Sequence, residues 1–272
     1  MNPRISLALV VVVLVAGAIG LWWDDRQKPA VPVLPINSAE RVSSEPTPAE
    51  PEDTFVYDGE YVLTISWHPA FCETKPNLRE CRNERSGDYA ADHFSLHGLW
   101  PQDDEYCGVG ENIIAIDEAN SWDDLPQIDV SDATWRDLQR LMPGTEDGLE
   151  RHEWTLHGTC AGVDADTYFK HAIALVEEIN GSDVRDLLAR NIGRNVSRAQ
   201  LRSAFDDAFG DGAGRKVRMD CEEDDGRDLI FELRINLDGN AMGAANFRDL
   251  VHAAKNATNG CSGGIVDRVG EQ

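Results

Sequence analysis

Six cysteines, at positions 72, 81, 107, 160, 221 and 261, all lie beyond an apolar run that occupies residues 5–23. An even number of cysteines downstream of an export segment reads as three disulfide bonds, which constrain any fold by joining distant parts of the chain. No C-x-x-C pair is present, which argues against a zinc ribbon. Spacing alone leaves the pairing open. The apolar run is broken only by Ser6, follows Arg4 and precedes Asp24-Asp25. It is expected to be a signal peptide or a membrane anchor, inserted with its N-terminus inside. Ala16-Gly17-Ala18 fits a small-x-small cleavage site, whereas the length and the closing Trp22-Trp23 fit a span ending at an interface. Both readings place the rest of the chain in the periplasm or outside the cell, secreted or anchored.

Three regions follow from composition. Residues 1–23 form the leader or anchor. Residues 24–54 hold six of the twelve prolines amid Glu, Ser and Ala, and read as a disordered tether. Residues 55–272 are enough for one well-buried domain. Of the net charge of −24, that last region carries −21, from 21 basic and 42 acidic side chains. This excludes a general grip on a polyanion, because such affinity comes largely from neutralising phosphates. An enzyme needs only local positive charge, and an acidic field keeps histidines protonated to higher pH.

Hydrophobic periodicity supplies the elements. Tyr61 to Trp67 alternates and stops at His68-Pro69, as a strand does. Phe94 to Leu99 is a second strand, stopped by Pro101. Ser131 caps a helix through Leu141, and Asp164 or Asp166 caps another through Ile179, closed by Asn180-Gly181. Asp183 to Ala189 is a short helix, and Ser197 with Gln200 forms a capping box for a helix through Phe209. The clearest strand places Leu229, Phe231, Leu233, Ile235 and Leu237 on one face. Helices in the middle with strands on either side predict an α+β fold, a central antiparallel sheet with flanking helices.

Two segments carry chemistry: His93-Phe94-Ser95-Leu96-His97-Gly98-Leu99-Trp100-Pro101 and His152-Glu153-Trp154-Thr155-Leu156-His157-Gly158-Thr159-Cys160. They hold four of the seven histidines. Two imidazoles with a carboxylate between them can trade protons near neutral pH, which suits phosphodiester or acyl cleavage. His152 and His157 are one residue too far apart for the zinc motif H-E-x-x-H, because five steps on a helix turn the second imidazole off the face of the first. Glu153 and His157, four apart, share a face. On a strand His97 points away from Phe94 and Leu96, next to Trp100, a flat surface on which a base can stack. His68, His171 and His252 read as structural, and no role is assigned to His93.

These two segments resemble the active-site segments of the ribonuclease T2 family, in order and in separation. Trp67-His68-Pro69-Ala70-Phe71-Cys72 is similar to the family's early strand and first cysteine, so the resemblance spans about residues 61 to 261. It implies a T2-like α+β catalytic domain over residues 55–272. The implied activity is endonucleolytic cleavage of single-stranded RNA without metal or other cofactor. The 2′-hydroxyl attacks phosphorus to give a 2′,3′-cyclic phosphate, which water opens to a 3′-phosphate. By position, the resemblance makes His157 the base, His97 the acid, His152 a phosphate contact, Glu153 an orienting or polarising group, and Trp100 a base-stacking platform. DNA lacks the nucleophile and is refused. A monomer is expected. The resemblance also implies the pairs Cys72–Cys81, Cys107–Cys160 and Cys221–Cys261. One departure stands out: Leu156 occupies the place of the family's usual lysine, whose charge would neutralise a phosphorane. Either another cation such as Arg151 substitutes, or turnover is slow. The alternative is a catalytically weakened relative in the cell envelope that binds RNA or a protein.

Overall fold

The computed structural model describes residues 56–270, and its sheet is built around one long strand. The expected leader or anchor at 5–23 and the tether at 24–54 lie outside the described residues. Among those described, no helix is long and apolar enough to cross a membrane. Six strands run Gly59–Ser66 (β1), Ser95–Pro101 (β2), Asn195–Ser197 (β3), Val217–Asp224 (β4), Arg227–Gly239 (β5) and Gly263–Ile265 (β6). The helices are His68–Thr74 (α1), Arg79–Arg82 (α2), Glu111–Glu118 (α3), Asp132–Leu141 (α4), Leu149–Leu156 (α5), Ala165–Asn180 (α6), Asp183–Ala189 (α7), Arg198–Phe209 (α8) and Phe247–Ala253 (α9). The fold is α+β. The sheet order is β2-β1-β5-β6-β3, with β4 on β5. All pairings between named strands are antiparallel except β5 with β6, which meet in parallel at Leu229 and Ile265.

The expected caps account for where helices begin. Ser131 accepts from the Thr134 amide and Asp164 from the Thr167 amide. Ser197 and Gln200 make both bonds of a capping box at the start of α8. Each such cap satisfies amides that a helix start leaves bare. Helix α6 then lays Tyr168, Phe169, Val176 and Ile179, all fully buried, into the core against β2. It also fixes β2 by polar bonds. The Tyr168 hydroxyl donates to the Leu99 carbonyl (2.7 Å), and the Asn180 amide brackets Phe94, accepting from its N–H and donating to its carbonyl, each at 2.9 Å.

Two β-bulges break simple alternation. On β2 the register jumps from Thr64↔Gly98 to Ile65↔Leu96, leaving His97 as the extra residue. On β5 it jumps from Asp220↔Glu232 to Cys221↔Ile230, leaving Phe231 extra. A bulge bends the strand and re-aims side chains. The single apolar face expected on β5 is therefore corrected. Leu233, Ile235 and Leu237 share the buried face, Phe231 is half-buried, and Ile230 joins the core in its place.

The disulfides join Cys72 to Cys81, Cys107 to Cys160, and Cys221 to Cys261. Beside the first, His68 is buried between two carboxylates, with Nε2 donating to Glu80 (3.1 Å) and Nδ1 to Glu84 (3.0 Å). Burial by itself lowers an imidazole's pKa, but these two bonds outweigh it and raise His68 to about 9. Because the folded-state value is the higher one, the stabilisation is complete below about pH 6.5 and is lost as pH rises through about 9. It amounts to about 3 kcal/mol at most. The parent is therefore expected to melt above a His68→Gln protein at pH 6 and to lose most of that margin by pH 10. A margin independent of pH, followed by circular dichroism, would sink this assignment.

Candidate active site

Strand β2 and helix α5 meet at Gly98. A Cβ at this position would lie 1.9 Å from Glu153 Oε2 and 2.3 Å from Trp100 Nε1, so only glycine permits the contact. Through it, Glu153 reaches Trp100, whose indole N–H donates to Glu153 Oε2 at 2.7 Å. Gly158 likewise admits a close approach just past the end of α5, where a Cβ would fall 2.4 Å from the Trp154 ring. The Cys107–Cys160 disulfide and the bond from the Tyr106 amide to the Leu156 carbonyl (2.9 Å) tie the segment after β2 to the end of α5.

Trp100 is the hub. His157, which caps the C-terminus of α5, stacks on the indole at 5.2 Å between centroids, and His97 meets it edge-on at 5.3 Å. His97 and Trp100 are three apart, and regular alternation would send them to opposite faces. The bulge at His97 puts them together. Four of the five expected site residues, His97, Trp100, Glu153 and His157, are thus gathered around one ring. The fifth, His152, stands beside them: its Nδ1 donates to buried Asp117 (2.7 Å) and its ring stacks on Trp122 at 4.3 Å. The Tyr106 hydroxyl holds the other Asp117 oxygen at 2.7 Å.

The two central imidazoles sit in opposite electrostatic settings. His97, 34% exposed, donates through Nδ1 to Glu232 at 2.7 Å and faces Glu153 at 3.5 Å, both carboxylates being 1–2% exposed. Burial lowers its pKa, but the bond to Glu232 and the charge of Glu153 reverse the sign and leave it raised. His157 has no carboxylate, and its Nδ1 is buried without a partner among the described residues. Burial, with the charges of His152 and His97, lowers it to about 3. Glu153 is pushed up by burial, against the pull of His97 and His152 and of the indole bond. Glu232 is lowered despite burial, by His97 and Arg234. One imidazole is thereby kept charged and the other neutral over the same pH range, the division that acid–base chemistry needs.

Three partners escaped the sequence reading: Glu232, Arg234 and Asp117. Arg234 donates through Nε to Glu232 (2.9 Å), and its guanidinium carbon lies 5.7 Å from the Trp100 ring centre. The expected substitute cation, Arg151, points elsewhere. Its Nη1 donates to the Asp123 and Leu125 carbonyls at 2.8 and 3.2 Å. Two steps along a helix turn a side chain about 200°, so Arg151 cannot share the direction of Glu153. Two cavities flank the hub. One, of about 730 Å³, runs from His97 past Leu96, Phe71 and Trp122. The other, of about 530 Å³, is lined by Trp100, Gln102, Leu156 and His157. Among the described residues, the one group of three potential metal ligands within reach of one another is His68 with Cys72 and Cys81, whose sulfurs are spent in a disulfide.

The profile described as "Ribonuclease T2 family" matches residues 58–247. Ribonuclease I of Escherichia coli (strain K12) is 27% identical over 252 residues, 82% of this chain and 89% of that protein. Ribonuclease T2 of Homo sapiens is 29% identical over 130 residues, 45% of this chain and 44% of that one. Among solved structures, the self-incompatibility associated SF11-RNase of Nicotiana alata superposes with a TM-score of 0.54 at 17% identity, covering 78% of this chain and all of that one. A variant of bitter-gourd RNase MC1 in complex with 5′-GMP gives 0.51 at 19%, covering 76% and 99%. At these identities the structural likeness establishes the fold.

Proposed function

This chain belongs to the ribonuclease T2 family, and we propose that it cleaves single-stranded RNA without a metal, by attack of the ribose 2′-hydroxyl on the adjacent phosphorus. That it is an endoribonuclease of the T2 type follows from membership. The route is our own reading, and the observation that carries it is the divided pair of imidazoles on Trp100. His157, neutral, takes the 2′-hydroxyl proton as the new P–O bond forms. His97, charged, gives a proton to the 5′-oxygen as the old P–O bond breaks. The products are a 2′,3′-cyclic phosphate and a free 5′-hydroxyl. Each histidine has then exchanged roles, so water can be deprotonated by His97 and the 2′-oxygen protonated by His157, leaving a 3′-phosphate.

Orientation supports this assignment. His157 lines the 530 Å³ groove and His97 the 730 Å³ cavity. The nucleotide bearing the 2′-hydroxyl fits the first and the leaving nucleoside the second. Trp100 lines the first groove and is our platform for a base there. Glu232 is a positioning residue, which holds His97 through Nδ1 and leaves Nε2, beside Glu153, as the proton donor. Glu153 orients the hub through the indole N–H, and His152, oriented by Asp117, is our candidate for a phosphate contact. Two separate base sites call for unstacked nucleotides, hence single strands. We place residues 55–272 as the catalytic domain, carried outside the cytoplasm by residues 1–23, as three disulfides befit.

The test uses the full chain, oxidised, in EDTA, on an RNA oligonucleotide and on one with a single 2′-deoxy position. Cleavage to cyclic or 3′-phosphate ends, skipping the deoxy position, is the expected result. A requirement for added divalent metal, or scission at the deoxy position, would overturn the route. A folded protein that binds RNA without cutting it would favour the weakened relative.

A further inference from the structure

The phosphate of RNA is an anion, and the transition state at phosphorus carries still more charge. The site that receives it is ringed by buried carboxylates, Glu153, Glu232 and Asp117, in a chain of net charge −24. Without a fixed cation the field would repel the substrate. His97 is needed as a proton donor and becomes neutral in the reaction, so it cannot serve throughout. Arg151 is spent on two backbone carbonyls, and Arg79, on the wall of the larger cavity, is held by Asp123 and Asp147.

Arg234 is differently placed. On the sheet it lies in one row with Thr64 of β1 and Gly98 of β2, the glycine at which Glu153 and Trp100 meet. Its Nε is anchored, donating to Glu232 at 2.9 Å and facing Asp220 at 3.4 Å. The same Glu232 holds His97. The guanidinium is thereby locked to the general acid through one shared carboxylate and rests 5.7 Å from the centre of the ring that carries His157. Its two Nη groups donate no hydrogen bond among the described residues, and the side chain is 47% exposed. A planar fork with two free donors suits the oxygens of a phosphoryl group.

We infer that Arg234 is the cation of this active site: its Nη groups bond a non-bridging oxygen of the scissile phosphate and hold the charge that grows there as the phosphorane forms. The inference rests on the RNA-cleaving reading above and adds a residue to it. Leu156 then ceases to imply a crippled site, because the charge missing from α5 is supplied by β5. Donors aimed at developing charge contribute about 10²–10³-fold each in rate.

Two experiments on the full chain decide it. In the first, Arg234→Gln and Arg234→Lys proteins are compared with the parent in single-turnover cleavage of an RNA oligonucleotide. Arg234→Gln is expected to lose about 10²-fold or more, and Arg234→Lys to recover some of the loss by restoring a point charge. In the second, adenosine and adenosine 3′-monophosphate are titrated against each protein. The parent is expected to prefer the phosphate-bearing ligand, and Arg234→Gln to lose that preference while still binding adenosine. Arg234→Gln with near-parental rate and an unchanged preference would refute the role. So would equal weakening of both ligands with a lower melting temperature, which marks a structural residue. If the parent itself cleaves no RNA, the proposed function fails, and the nucleotide titration still judges Arg234.

Discussion

His157→Ala is expected to lower the single-turnover rate of RNA cleavage by about 10²–10⁴-fold, and His97→Ala by a similar factor, with both proteins folded. Neither imidazole supports the core: His97 is a bulge residue partly open to solvent, and His157 lies at a helix end against one face of Trp100. The two losses should not add. Once either partner of a proton-exchanging pair is gone the other has little left to do, so the double variant should fall only slightly below the singles. The effects also differ in kind. His97→Ala removes the proton donor and should be relieved by a substrate with a good leaving group in place of the 5′-nucleoside, whereas His157→Ala should gain little from that substrate. A double variant whose loss is the product of the singles, or equal relief of both singles, would speak against separate acid and base roles in one step.

Local physics made much of this molecule legible in its sequence. Ser131, Asp164 and the Ser197–Gln200 box start helices because short polar side chains satisfy bare amides, a purely local matter. The strand at Leu229–Leu237 is visible because half its side chains must be apolar. The bulges are not visible that way. At His97 the core residues Leu96 and Leu99 stand three apart, and Gly98 lies between; that break in alternation is the one local sign of the extra residue. The partners Glu232 and Arg234 lie 135 and more residues from His97 and reach it only because β1 pairs with β2 on one side and β5 on the other. A signal was present, since Glu232 is the one carboxylate within the run from Leu229 to Leu233, but nothing in the sequence says what it faces. Arg151 illustrates the converse: nearness in sequence to Glu153 means little when two helical steps turn the side chain away.

The second large effect is on pH. A base works only when neutral. With His157 held to about 3, its competence is present above that value and lost as pH falls through it. An acid works only when protonated. With His97 raised, its competence is present below its shifted value and lost as pH rises through it. The working window is therefore widened, reaching down to about 3 on the acid side and above the ordinary histidine value on the other. At pH 4.5 an ordinary histidine base would be about 1% neutral, a loss of about a hundredfold that this chain should escape. Glu153, raised above the ordinary carboxylate value by burial, titrates as well, so a rate profile reports it together with the imidazoles.

Direct observation removes that ambiguity. Imidazole ¹⁵N shifts of the full chain, recorded from about pH 4 to 9 and assigned with His97→Ala and His157→Ala proteins, read each ring separately. The expected spectrum has His157 neutral down to the lowest pH and His97 still an imidazolium above its ordinary value of 6.5. Two rings titrating together near 6.5, or His157 charged where His97 is neutral, would contradict the division of labour on which the proposed chemistry stands.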